Sequence, residues 1–147
     1  MKDTKNSTQT ATKKRYEGFT AAEKSAMRQR VKEMKAGEDG ENQVRAAIAE
    51  MHEDDRVMAK RIDALVKASA PGLTSKTWYG MPAYAKDGKT ICFFKPSHKF
   101  KVRYSTLGFN DAAKLDEGSM WPTEYAVTKL TATEEARIAA LVKKAVG

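Results

Sequence analysis

The sequence predicts an α+β domain: a small, mostly antiparallel sheet with helices packed on one face. Two observations predict this class. Apolar residues recur at helical spacing in the first half of the chain and again at its end, whereas residues 73–130 are rich in β-branched residues, aromatic residues and turn signals. Because these strands follow one another through short connections, neighbouring strands are expected to run antiparallel.

Length and composition favour one small domain of the cytoplasm. The chain has 147 residues, of which 41% are hydrophobic and 31% charged, a balance typical of a globular domain. Cys92 is the one cysteine, which fits a reducing compartment. No apolar run approaches the ~18 residues of a membrane span, and the first residues lack the apolar segment of a secretory signal. We therefore expect no membrane partner.

The N-terminal part divides into a tail and a helical extension. Residues 1–17 show no apolar period and predict a disordered tail. Thr20 and Glu23 have the spacing of a capping box, which predicts a helix start, and Gly37 predicts its end. This defines a helical extension at 18–37, a break around EDGEN, and a domain over 41–147.

Local patterns predict the remaining helices and strands. After a short helix near Val44–Met51, a helix starts near Asp54 and stops before Pro71-Gly72. KDGK at 86–89 predicts a hairpin with an Asp-Gly turn. KFKVRYSTLGF alternates apolar and basic residues and predicts a strand with one wet face. TEYAVTKL predicts another strand, and Thr131 with Glu134 predicts a capping box on the last helix.

Several of these segments resemble one known family. TWYGMPAY, an ICFF strand, RYSTLGF and GSMWPTEYAVTKL followed by a helix resemble the YdhG-like proteins of the YjbR/CyaY-like superfamily, over about residues 41–147. The resemblance implies a small frataxin-like α+β fold. One branch of the family is an intracellular iron chaperone, so iron is the cofactor or cargo that the resemblance suggests; most members have no established activity.

The stretch TWYGMPAY admits two interpretations. Gly80 and Pro82 predict a sharp turn, around which the large side chains form either a packed corner or the floor of a ligand cleft. Aromatic concavities with a few polar groups are common small-molecule sites. The candidate ligand-binding residues are Trp78, Tyr79, Met81, Tyr84 and Trp121.

HEDD at 52–55 gives weak metal-ligand candidates: His52, Glu53, Asp54 and Asp55. Carboxylate oxygens suit hard cations such as iron, and an imidazole adds a nitrogen ligand. Acidic residues at a helix start also have an ordinary capping role, and consecutive residues point in different directions.

Positive charge suggests an alternative site. The formal net charge is +8, and residues 86–103 carry six basic side chains against one acidic one. The candidate anion-binding residues on the predicted wet face of 95–103 are Lys95, His98, Lys99, Lys101 and Arg103. The predicted alternation places aromatic and basic side chains on opposite faces, which argues against nucleic-acid binding there.

These observations predict a binding domain more readily than an enzyme, since no catalytic motif stands out in the sequence. Iron handling is the role that the resemblance names, and a small molecule or metal ion is the expected partner. An anion- or nucleic-acid-binding module on the basic face 95–103 is the alternative.

Overall fold

The computed structural model describes residues 21–147, with every side chain from residue 38 onward. Residues 37–147 form one compact unit. In chain order the elements are α1 (Ala21–Ala49), α2 (Glu53–Ser69), β1 (Thr74–Trp78), β2 (Met81–Lys86), β3 (Lys89–Lys95), α3 (Ser97–Phe100), β4 (Ser105–Phe109), β5 (Glu124–Val127) and α4 (Ala132–Val146). The predicted α+β class is confirmed. The predicted tail at 1–17 and the predicted capping residue Thr20 lie outside the described residues.

The sheet is an antiparallel meander in which the five strands lie side by side in sequence order, β1-β2-β3-β4-β5. Asp87 and Gly88 join β2 to β3 with φ angles of 52° and 81°. A two-residue hairpin turn of type I′, whose twist matches that of the flanking strands, requires positive φ at both central residues. The predicted Asp-Gly hairpin is confirmed.

Buried hydrophobic residues form a large cluster on one face of the sheet and a small cluster on the other. Helices α1, α2 and α4 supply Val44, Ile62 and Val142 to a main core that also contains strand residues of the inner face. Alternate strand residues point to the outer face, where Met81, Ala83 and Phe93 pack with Trp78 and Phe100. We call the first cluster the main core and the second the outer cluster.

Helix α1 contradicts the predicted break around EDGEN and the predicted helix end at Gly37. The helix runs without interruption from Ala21 to Ala49. Its buried Gly40 lies against β1, so closely that a Cβ atom there would be 2.1 Å from the carbonyl oxygen of Ser75. The glycine at position 40 therefore permits close approach of helix and strand, and it does not end the helix.

The predicted strand over 99–109 is also wrong in its first half. Residues Ser97–Phe100 form the short helix α3, which ends at Lys101 in the left-handed region with φ 54°. Val102 and Tyr104 are 42% and 37% exposed, and the strand β4 begins only at Ser105. All five residues of β4 are buried, so the strand does not have the predicted wet face.

The last strand and helix are confirmed. Glu124–Val127 pairs with β4, and α4 begins with the predicted capping box. The Glu134 carboxylate accepts the backbone N–H of Thr131 at 2.8 Å. Within residues 21–147, the helices are all too short or too polar to cross a bilayer.

Candidate functional site

The two histidines of the chain meet at the start of α2. His52 precedes this helix as its N-cap residue, and His98 lies in α3. Their rings stack with centroids 3.7 Å apart and planes inclined by only 7°. Two imidazoles from distant parts of the chain are thus held face to face at the surface.

Asp55 holds α3 in place. Its side chain is buried in the first turn of α2, where its two oxygens accept four hydrogen bonds from the segment 97–105. One oxygen accepts from the hydroxyls of Ser97 and Ser105 at 3.2 and 3.4 Å. The other accepts from the backbone N–H of His98 at 2.9 Å and from its ring Nδ1 at 3.1 Å. A buried carboxylate needs such partners, and these fix the position of His98.

This contact determines which nitrogen of His98 is available. A carboxylate oxygen that accepts a hydrogen bond leaves the imidazole Nδ1 as the donor, so the lone pair of the neutral ring is on Nε2. The side chain of His98 is 46% exposed. An imidazole oriented by a carboxylate is the usual arrangement of a histidine that binds a metal ion.

Asp54 completes a set of three donors. His52, Asp54 and His98 each offer one ligand atom, and these atoms all lie within 4.8 Å of one another. All three side chains are exposed. Two imidazole nitrogens and one carboxylate oxygen form the 2-His-1-carboxylate set that ferrous iron and similar borderline cations prefer. Three protein ligands on one side of an ion would leave its remaining positions to water.

The ring of His52 is less well oriented for metal binding than the ring of His98. Its Nδ1 accepts the backbone N–H of Asp54 at 3.3 Å, a long and weak hydrogen bond that caps α2. A neutral imidazole has one lone pair, so His52 can cap the helix or bind a metal ion, but it cannot do both. The lone pair of an imidazole lies in the plane of its ring, so two rings stacked within 7° of parallel cannot both direct theirs at one ion. Metal binding would therefore turn the His52 ring out of the stack and exchange its weak cap for a coordinate bond.

The predicted metal candidates are thus partly brought together. His52 and Asp54 share the cluster, Asp55 is buried behind it as the support of His98, and Glu53 is exposed outside the group. Sequence reasoning missed His98 as their partner. The contact between residues 55 and 98 crosses 43 positions, and the local pattern around either residue carries no signal of it.

The predicted aromatic cleft residues are divided between two clusters. Trp78 and Met81 belong to the outer cluster, where the Trp78 ring lies 5.1 Å from that of Phe93, and Tyr79 is 79% exposed beside it. Tyr84 is buried in the main core, and Trp121 packs against that core from a loop. The five residues therefore lie on different sides of the sheet, and binding of a ligand by any of them stays a prediction.

Tyr84 has a structural partner. Its hydroxyl donates to the Asp63 carboxylate at 2.6 Å. Burial, together with this hydrogen bond, raises the pKa of the Tyr84 phenol well above its usual value. The hydroxyl thus belongs to a core contact with α2.

The predicted basic face is rearranged by α3. Lys95 ends β3, Lys99 lies in α3, and Lys101 and Arg103 follow in the exposed connection to β4. Only Lys95 is a strand residue, and His98 turns away toward Asp55. Lys95 and Lys99 instead approach the Phe100 ring, with Nζ atoms 5.5 and 5.7 Å from its centroid. Cations and an aromatic ring therefore share one side of the molecule, contrary to the predicted alternation.

Cys92 is a buried, unpaired side chain in the main core. Burial raises the pKa of its thiol to about 12. The thiolate that a nucleophile or metal ligand requires is therefore disfavoured.

A scan against models of protein families, a search of curated proteins and a search of solved structures each returned no match to this chain. The resemblance to YdhG-like proteins stays a prediction from the sequence motifs.

Proposed function

We propose that this protein is a binding domain that carries a divalent transition-metal ion at His52, Asp54 and His98. One observation carries the proposal: three side chains with metal-binding atoms lie within 4.8 Å of one another, and the Asp55 carboxylate orients one of them. The exposure of all three supports a site that takes up and releases its ion.

Ferrous iron is the ion that we propose as cargo. The donor set of two imidazoles and one carboxylate suits it. Iron handling is also the role that the resemblance to YdhG-like proteins implies. Zn²⁺, Co²⁺ and Ni²⁺ accept the same donors, so the site should bind them too, whereas Mg²⁺ and Ca²⁺ prefer oxygen ligands.

Calorimetric titration under anaerobic conditions tests the proposal. We expect one Fe²⁺ or Co²⁺ per chain to bind, with Mg²⁺ giving no heat beyond dilution. His98→Ala should weaken the affinity at least about tenfold, the loss typical when a metal site loses a ligand or its support. In the His52→Asn variant, the amide keeps the helix cap but removes the imidazole, so a similar loss there would not arise from an uncapped helix.

A matched pair of acidic variants provides the control. Asp54 and Glu53 are adjacent, exposed and in the same first turn of α2, but only Asp54 belongs to the donor set. Asp54→Asn should weaken Co²⁺ binding and alter its visible absorption spectrum, and Glu53→Gln should leave both unchanged. Absence of binding, or equal effects of the two variants, would reject the proposal.

A further inference from the structure

We propose a second site, independent of the metal ions: the outer side of the sheet binds single-stranded nucleic acid. Aromatic rings and cations are interleaved along this side in one connected series, in which Lys95 and Phe100 are half-buried and the other members are exposed. The series runs from the β1–β2 turn, over α3, to the segment that precedes β4, and comprises Tyr79, Lys99, Phe100, Lys95, Arg103 and Tyr104.

The first half of the series joins the β1–β2 turn to α3. The ammonium group of Lys99 donates to the carbonyl oxygen of Gly80 at 3.2 Å, which places it beside the 79% exposed Tyr79. The same Nζ atom lies 5.7 Å from the centroid of the half-buried Phe100 ring. The ammonium group packs closely on the backbone of this turn, since a Cβ atom at Gly80 would be 2.6 Å from the Lys99 Nζ.

The second half extends from α3 to β4. The Lys95 Nζ atom lies 5.5 Å from the centroid of the Phe100 ring. Together with Arg103 and Tyr104, Lys95 also lines an open cavity of about 450 Å³. The Arg103 guanidinium is 5.0 Å from the Tyr104 ring centroid. Glu124 is the acidic side chain of this cavity, so the basic side chains outnumber it.

This arrangement matches the chemistry of a single strand. Its phosphates need cations at intervals, and its unpaired bases need flat apolar surfaces on which to stack. An anionic metabolite would use one cation cluster and leave the other rings unused. A duplex hides the faces of its bases, and an acidic peptide has no need of three rings. The interleaving of rings and cations therefore favours single-stranded nucleic acid over these other anions.

The short helix α3 creates this combination. In a continuous strand, Phe100 and Lys99 would point to opposite faces, and stacking and charge would act on different sides. Because Ser97–Phe100 is helical, Lys99 and Phe100 both contribute to the outer side, next to Lys95.

Fluorescence anisotropy with labelled oligo(dT) and oligo(U) of about twelve nucleotides tests the proposal, since such lengths match sites of this size. Excess EDTA in the buffer removes any metal ion, so the result is independent of the proposed metal site. We expect binding at about 50 mM salt that weakens steeply as salt rises, because bound counterions are released. The two oligonucleotides distinguish DNA from RNA, and binding of either one supports the proposal.

Charge variants define the site. The double variant Lys95→Gln/Arg103→Gln should weaken binding at least about tenfold and reduce the slope of log K against log salt by about 1.4, the value for two lost phosphate contacts on a single strand. Lys143→Gln/Lys144→Gln removes the same charge from the exposed last turn of α4 and serves as the control. Equal losses in the two double variants would overturn the proposal.

Aromatic variants test stacking separately. Tyr79→Ala/Tyr104→Ala should weaken binding about tenfold or more with an unchanged salt slope, as expected for lost base stacking. Met120→Ala alters a side chain that is 90% exposed in another loop and should have no effect. No binding to either oligonucleotide, or equal competition by dextran sulfate of the same charge, which has no bases, would overturn the proposal.

Discussion

Gly40 shows how a single residue fixes the distance between two elements. A methyl group at this position would meet the Ser75 carbonyl oxygen at 2.1 Å, and a backbone atom cannot turn aside as a flexible side chain can. Glycine destabilises a helix by ~1 kcal/mol relative to alanine, but at position 40 it allows α1 to pack closely on β1.

We expect Gly40→Ala to destabilise the protein although alanine is the better helix former. Overpacking costs typically ~1–3 kcal/mol and more against rigid backbone, which exceeds the ~1 kcal/mol gained in helix propensity. Urea unfolding followed by circular dichroism measures the net loss.

Gly72→Ala is the control for this change. It lies in the turn after α2, and a Cβ atom there meets nothing within 4 Å. Its unfolding midpoint should stay close to that of the parent chain. A Gly40→Ala variant as stable as the parent would show that α1 can move away from β1 without cost.

The main residue-level contacts of the candidate site depend on distant partners. His52 and Asp54 are neighbours at a helix start, and the sequence pattern HEDD identifies them. His52 stacks on His98, and Asp55 accepts hydrogen bonds from α3. Both contacts form only when α2 packs beside the end of β3. Local patterns carry no information about such a contact, so the sequence places His98 only on the predicted basic face.

At the level of elements, α4 is determined almost entirely by local chemistry. Its first turn has the capping box and two acidic residues, and its last turn has Lys143 and Lys144. These features favour the helix through its exposed N–H groups and its dipole, and all of them are visible in the sequence. The Asp-Gly hairpin is a second such case.

We expect Thr131→Ala to lower the free energy of unfolding by about 1 kcal/mol, the typical cost of losing an N-cap side chain. Thr131 supplies one half of the capping box, and α4 packs against α2 through buried residues such as Ile138. Fraying of the first turn should therefore be detected in global unfolding by urea.

Thr133→Ala makes the same chemical change two residues later, at an exposed position inside the helix. There alanine has the higher helix propensity, so we expect a small stabilisation. Equal effects of the two substitutions would contradict the capping explanation.

The elements that sequence reasoning missed are those that depend on another element. Alternation over residues 99–104 predicted a strand, but Pro96 and the hydrogen bonds of Asp55 to Ser97 and His98 favour a helical turn instead. Gly37 predicts a helix end and the EDGEN segment predicts a break, but Gly40 of that segment packs closely against β1 from inside a continuous helix. In both cases tertiary contacts outweigh the local preference.

At the scale of the whole molecule, the acidic and basic segments of the sequence meet at α3. Residues 38–55 carry seven acidic side chains against one basic, and their last members form the metal candidate with His98. The basic segment 86–103 contributes Lys95, Lys99 and Arg103 to the outer side. One short helix thus carries residues of both proposed sites, and Asp55 positions it for both.

The compact unit formed by residues 37–147 contains every side chain of the main core. This unit includes the core residues Val44 and Ile48 of α1 and Met51 of the connection to α2. A helix that began at Gly37 would have Glu38, Asp39 and Glu41 in its first turn, where negative charge is favourable to the helix dipole. The remaining part of α1 should therefore stay folded on the sheet.

We expect a chain of residues 37–147 to unfold cooperatively, with a melting temperature within about 5 °C of the full chain, a shift of about 1 kcal/mol for a domain of this size. A chain that starts at Glu53 loses Val44, Ile48 and Met51, each worth ~1.5–3 kcal/mol of apolar burial. Their sum approaches ~5–15 kcal/mol, the free energy of unfolding of a typical domain, so this shorter chain should not fold. Thermal unfolding measured by circular dichroism compares the three chains. Loss of cooperative unfolding on removal of residues 1–36 alone would show that the stability of the core depends on that segment as well.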